Sequence, residues 1–257
     1  YMPSRDELAG VEYNLSLLPK SYTDVLNARL IGIYFISGWT GAGMSDYVLD
    51  GKNNLYFILI LNPEVLGRDI SDWVTYREKT CYLPPADAEK NIDVKIDCGK
   101  EYTGLTYALL HETSHLADYV NHYTPYVEDN IRELGLGVQE TPFTTPVWKE
   151  YGVPLAGNGF TLRKELAFYG LKRPAIHLSN AVTLYQSLEK TPFCSLYGAQ
   201  NWAEDFAEYM CMYYLAKILH QPYTIEVRRD GRLEYSYSPM ESARVLERAK
   251  SVLKALE

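Results

Sequence analysis

A chain of 257 residues, 47% of them hydrophobic, fits one large domain or two closely packed lobes and can bury a substantial core. A net charge of −8 argues against a nucleic-acid binder, and no apolar run is long enough to span a membrane. The 23 tyrosines suit clefts and half-buried walls, because each ring packs while its hydroxyl stays polar.

The chain opens on Tyr1, without an initiator Met or a visible secretory signal. The expectation kept open is an exported or cell-envelope protein from which an upstream segment has been removed. Four cysteines form no C-x-x-C pair, which argues against a zinc knuckle. Cys81 and Cys98 end strand-like segments and are a candidate disulfide; four free, buried thiols are the competing reading.

In chain order, Ser21 to Asp24 reads as a helix start. Arg29 to Ser37 is rich in β-branched and aromatic residues and predicts a strand. Gly38 to Asp46 is a glycine-rich loop without phosphate-cradle spacing. Asn54 to Asn62 predicts a buried strand, and "WVTYREKTCYL" (Trp73 to Leu83) and "IDVKIDC" (Ile92 to Cys98) two more. The first lobe, residues 1–122, is thus expected to be a small mixed sheet followed by a helix capped by Thr103. Leu105, Leu109, Leu110, Leu116 and Val120 give that helix its apolar period.

Residues 123–198 are punctuated by prolines and predict a looped, mostly helical insert, with helical pieces at "LRKELAFYGL" (Leu162 to Leu171) and "SNAVTLYQSLEK" (Ser179 to Lys190). Asn201 to Leu219 is a strong amphipathic helix. Tyr223 to Ser238 alternates around Asp230-Gly231, a hairpin signal. Ser238, Pro239 and Glu241 predict the start of a last helix buried through Val245, Leu246, Ala249, Val252, Leu253 and Leu256. The second lobe, 123–257, is expected to be mainly helical.

The chemistry-bearing motif is His111-Glu112-Thr113-Ser114-His115, an H-E-x-x-H. At i and i+4 of a helix the two imidazoles share a face and can grip one Zn²⁺. Glu112 falls on the adjoining flank, where it can take a proton from water without ligating the metal. By the composition of this chain, a chance match would arise in roughly one such chain per hundred. The apolar helical period on both sides favours the metal reading further.

The third ligand is open to several candidates. A metzincin would place glycine at Asp118 and histidine at Asn121, so that pattern fails. His122, if still helical, lies roughly 16 Å from His111 along the axis, too far to share an ion. Glu204 in "NWAEDFAEYM" is preferred, because Glu208 one turn later could accept a hydrogen bond from a ligand imidazole. Glu165 is the rival; it has no acidic partner one turn on. His177 could donate to an oxyanion, but a lone histidine is more often structural; His220 follows the end of the Glu204 helix and is expected to cap its carbonyls.

H-E-x-x-H with a distant glutamate helix is the gluzincin pattern. The chain most resembles the anthrax lethal factor-like metallopeptidases, including the Pro-Pro endopeptidases, in about forty residues. The likeness is carried by Asp118, three residues after the second histidine, and by Glu204-Asp205-Phe206-Ala207-Glu208. It is carried also by Tyr197, seven residues before Glu204. The resemblance implies an α+β, zincin-like two-lobe fold with Asp118 supporting the ligands and the Tyr197 hydroxyl facing the oxyanion. The 89 residues from His115 to Glu204 are a much longer gap than in those relatives. The expected activity is zinc-dependent cleavage of a peptide or protein. The alternatives are a zinc hydrolase of a non-protein amide, such as a cell-wall peptide, and a catalytically idle zinc-containing binding domain.

Overall fold

The computed structural model describes residues 1–52, 54–125, 140–170, 174–253 and 256. Those parts of the predicted insert that fall at 126–139 and 171–173 lie outside the described residues. The chain is α+β. It opens with α1 (Arg5–Ser16), an element not among the sequence expectations although its cap is a local signal. Ser4 accepts from the Glu7 N–H while Glu7 accepts from the Ser4 N–H, a reciprocal cap. α2 (Lys20–Arg29) follows, starting behind Pro19 and burying Tyr22, Val25 and Leu26.

The first sheet has β1 (Leu30–Phe35), β2 (Gly43–Leu49) and β3 (Leu55–Leu61) in the order β1-β3-β2. β3 runs parallel to β1 and antiparallel to β2, and its Phe57, Leu59 and Leu61 are fully buried. β2 occupies part of the segment expected to be a glycine-rich loop. Pairing from Gly43 opposite Leu61 draws it into the sheet as an edge strand.

"WVTYREKTCYL" is not a strand but most of α3 (Ile70–Lys79). The Asp69 side chain caps it, accepting from the N–H groups of Ser71 and Asp72. Its buried residues are Ile70, Trp73, Val74, Arg77 and Glu78, spaced i, i+3, i+4, i+7 and i+8. The β-branched and aromatic residues imitate a strand, but two charged members of the stripe hide its helical period. Consequently Cys81 lies in the turn after a helix. All four cysteines are free and buried, and no Cys81–Cys98 disulfide forms.

β4 (Ile92–Asp97) leads to the motif helix α4 (Gly104–Asn121). The insert carries less helix than expected among the described residues: a small hairpin of β5 (Trp148–Glu150) and β6 (Val153–Pro154), single 3₁₀ turns, and α5 (Ala181–Leu188). "LRKELAFYGL" yields one such turn, Arg163–Glu165, because Leu162 and Tyr169 adopt left-handed backbones. α6 (Trp202–Tyr213) packs on α4 and ends in a π turn, Tyr214–Ile218.

The hairpin of β7 (Thr224–Arg229) and β8 (Arg232–Tyr237) turns at Asp230 and Gly231, both at positive φ. β7 pairs with β4, so the second sheet, β4-β7-β8, takes strands from both sides of residue 122. The expected last helix is broken into a 3₁₀ turn (Pro239–Glu241), α7 (Ala243–Leu246) and α8 (Ala249–Val252). Its intended cap, Ser238, instead pairs its hydroxyl with that of Thr224 across the hairpin. Among the described residues no helix is long and apolar enough to cross a membrane.

Candidate metal centre

α4 is buried along almost its whole length, so its polar residues sit inside the protein and need partners. His111 is 4% exposed and Glu112 7%. Across from them, α6 is capped by Asn201, whose side chain accepts from the N–H groups of Ala203 and Glu204. That cap uses only the backbone of Glu204 and leaves its carboxylate free to point at α4.

His111, His115 and Glu204 each bring one ligand atom into a group whose members all lie within 4.8 Å of one another. Glu204 Oε2 is 3.2 Å from His111 Nε2 and 3.7 Å from His115 Nε2. Two ligands about 2.0–2.1 Å from a tetrahedral ion are about 3.3 Å apart, so these spacings suit one ion. Oε2 is buried and accepts no well-formed hydrogen bond despite its closeness to Nε2. The three atoms lie close enough together that the group could hold a metal ion.

The electrostatics are those of a site that attracts a cation. Burial opposes a charge on His111, yet Glu204 and Glu208 push its pKa up to about 10. Burial likewise opposes ionisation of Glu204, and the two imidazoles hold its carboxyl well below the usual range.

Behind His111 stands a fully buried network. Glu208, one turn after Glu204, puts Oε1 3.2 Å from His111 Nδ1. The same oxygen accepts from Arg77 Nη1 at 2.7 Å and from the Tyr107 hydroxyl at 2.5 Å. Burial works against the Glu208 charge, and Arg77 foremost, with His111 and Tyr107, lowers its pKa to about 2. Arg77 also lies 3.4 Å from Glu78, whose other oxygen accepts from Tyr185. A carboxylate so placed fixes the ring orientation of a ligand imidazole. Arg77 and Tyr107 were not anticipated as site residues. The i, i+4 spacing of Tyr107 and His111 is an available signal; Arg77 has none, because it lies on α3, whose sequence imitates a strand.

Glu112 faces the first sheet. Ser45 on β2 donates to its Oε2 at 3.0 Å, and a Cβ on Gly43 would lie only 2.9 Å from its Cγ. No sequence signal marks either contact, because the glycine and polar residues of this stretch of β2 resemble a loop. Tyr197 is half-buried, with its ring 5.8 Å from that of His111 and the Arg77 guanidinium 5.0 Å from its ring centre. Burial pushes its phenol well above the usual range.

The other candidates are placed differently. Asp118 spends both carboxylate oxygens on Thr124, accepting from its N–H at 2.6 Å and its hydroxyl at 2.5 Å. It therefore fastens the chain leaving α4, and no hydrogen bond joins it to His115 among the described residues. His122 ends α4 in a left-handed conformation and is exposed. Glu165 is exposed on its single turn, His177 lies 3.6 Å from Glu89, and His220 is exposed after α6; none joins the group.

The group opens into a cavity of about 560 Å³. Trp39, Tyr119, Tyr151, Tyr169, Tyr197 and Trp202 form much of its wall. No protein-family model, no curated protein and no solved structure matches the chain. The functional reading rests on the side chains themselves.

Proposed function

We propose that the protein is a zinc-dependent metallopeptidase of gluzincin type, with a zincin-like arrangement akin to the lethal factor-like group. The observation that carries this reading is the grouping of ligand atoms from His111, His115 and Glu204 within 4.8 Å of one another, with Glu112 next to His111 on the same helix. Two imidazoles and one carboxylate are a donor set suited to zinc with a position left open. A zinc ion held there would supply a Lewis acid that polarises the substrate carbonyl and acidifies water.

The residues divide the remaining work. Glu208, backed by Arg77 and Tyr107, holds the His111 ring so that Nε2 faces the site. Glu112, steadied by Ser45, takes a proton from water and returns it to the leaving amine. The Tyr197 hydroxyl donates to the oxygen on which charge develops. β2 is an edge strand beside Glu112, and an extended peptide can add to it as a further strand. A poised Ser45–Glu112 pair favours a working base over an idle binding domain.

The test is metal analysis combined with cleavage of a generic peptide library. Purified parent should carry about one zinc, and Glu204→Ala should lose it. Glu112→Gln should keep zinc and lose cleavage. Undiminished zinc in Glu204→Ala sinks the ligand set, and undiminished cleavage in Glu112→Gln sinks the base.

A further inference from the structure

Tyr169 reaches the cavity wall from the insert, and no motif points to it. Its backbone is left-handed, at φ 56, a rare and strained state for a bulky residue. Gly170, which could take such a conformation freely, comes one position later at φ 73.

The strained backbone is held from two sides. The Tyr169 N–H donates to Thr80 Oγ1 at 3.1 Å, at the end of α3. Its carbonyl accepts from Thr40 Oγ1 at 3.2 Å, in the loop before β2. The ring stacks on Trp73, at 6.5 Å and 21°, and meets Tyr197 edge-on at 5.9 Å and 70°. The hydroxyl makes no hydrogen bond among the described residues. Tyr169 lines the same cavity as His111, Glu112, His115 and Glu204. Burial pushes this phenol above its ordinary range, so it remains a donor. Backbone strain of this kind persists where the surroundings impose it, and it clusters at working sites.

We propose that Tyr169 is a catalytic residue, a second hydroxyl donor beside Tyr197 to the oxyanion of the substrate, and that its left-handed backbone turns it into the cavity. The inference rests on the metallopeptidase reading for its substrate, but its geometry is independent of the resemblance that singled out Tyr197. If the ring served only to pack on Trp73, phenylalanine would do equally well, and that difference is the test.

The experiment compares the zinc-loaded parent with Tyr169→Phe. One arm is calorimetric binding of inorganic phosphate, a tetrahedral oxyanion. The other is turnover of a library peptide that the parent cleaves. The expected result is unchanged zinc content and melting temperature, with phosphate affinity lower by about tenfold. In turnover, kcat should fall by about a hundredfold while KM moves little. A variant that binds phosphate and turns over like the parent overturns the proposal. So does one whose losses track lost zinc or lost stability, because the role is then structural. A parent that binds phosphate but cleaves no peptide, with binding weakened in Tyr169→Phe, upholds the donor role and removes the peptidase reading. A parent that does neither has no oxyanion site, and the proposal falls.

Discussion

Arg77 holds the buried network behind the candidate metal centre, and Arg77→Met tests that role. The side chain is 0% exposed, and so is that of Glu208, 2.7 Å away. Methionine fills similar volume, so the main effect is a buried carboxylate left without its cation. Breaking a buried pair by removing one partner costs about 3–5 kcal/mol. The lower end applies to metal-free protein, where a protonated His111 still faces Glu208 at 3.2 Å. For a chain of this size each kcal/mol is worth about 2–4 °C, so the melting temperature of the metal-free protein should fall by about 6–12 °C. The double variant Arg77→Met/Glu208→Gln removes both charges and should recover much of that loss, because a buried ion pair is worth little net. It should not recover metal binding. With His111 Nδ1 facing an amide, zinc affinity should fall by about 10- to 100-fold. Thermal melts of chelator-treated protein measure the first effect without metal linkage, and chelator competition measures the second. A loss under about 1 kcal/mol in Arg77→Met, or a double variant no more stable than the single, would refute the assigned charge balance.

Gly43→Ala should lower kcat about tenfold or more without loss of zinc, since the new Cβ would crowd Glu112 Cγ at 2.9 Å and misplace the base; undiminished turnover would show that Glu112 can give way. Metal-free protein should be most stable with respect to His111 below its ordinary pKa of about 6.5 and lose that contribution as pH rises through about 10, because the folded state raises that pKa. Zinc must displace the same proton, so apparent affinity should rise between these limits, and a flat titration by chelator competition would contradict it. Glu89 accepts from the hydroxyl and N–H of Ser179, which lower its pKa to about 2 against the effect of burial. Its stabilisation is therefore present above pH 4.5 and lost as pH falls towards 2, and Glu89→Gln should flatten that limb of an acid-unfolding curve.

The parts of the centre that were legible in the sequence obey helix spacing. His111 and His115 share a face because of i, i+4 geometry, and Glu208 follows Glu204 by the same rule. β1, β3, β4 and the β7–β8 hairpin were legible from period and turn chemistry, since each is bounded by polar or glycine signals. α3 was not. Its stripe includes Arg77 and Glu78, and buried charges are counted as surface by any reading of hydrophobic period. Such a residue is intelligible only with its partner, and Glu208 lies 131 positions away.

The residues that shape the cavity were illegible for a different reason. Gly43, Ser45 and Tyr169 lie at a strand edge and in a loop, where no local period constrains the side chain. Their positions follow from which element packs where: β2 pairing along β3 brings Ser45 to Glu112, and two threonines far apart in sequence pin Tyr169. Asp118 shows the converse. Its place three residues after His115 matches a pattern, yet its carboxylate closes a turn with Thr124. Motif spacing states where a side chain can go, and the competing partner decides where it goes. Tyr169, supported by no spacing rule at all, therefore has a stronger geometric claim on the cavity than Asp118 has on the metal.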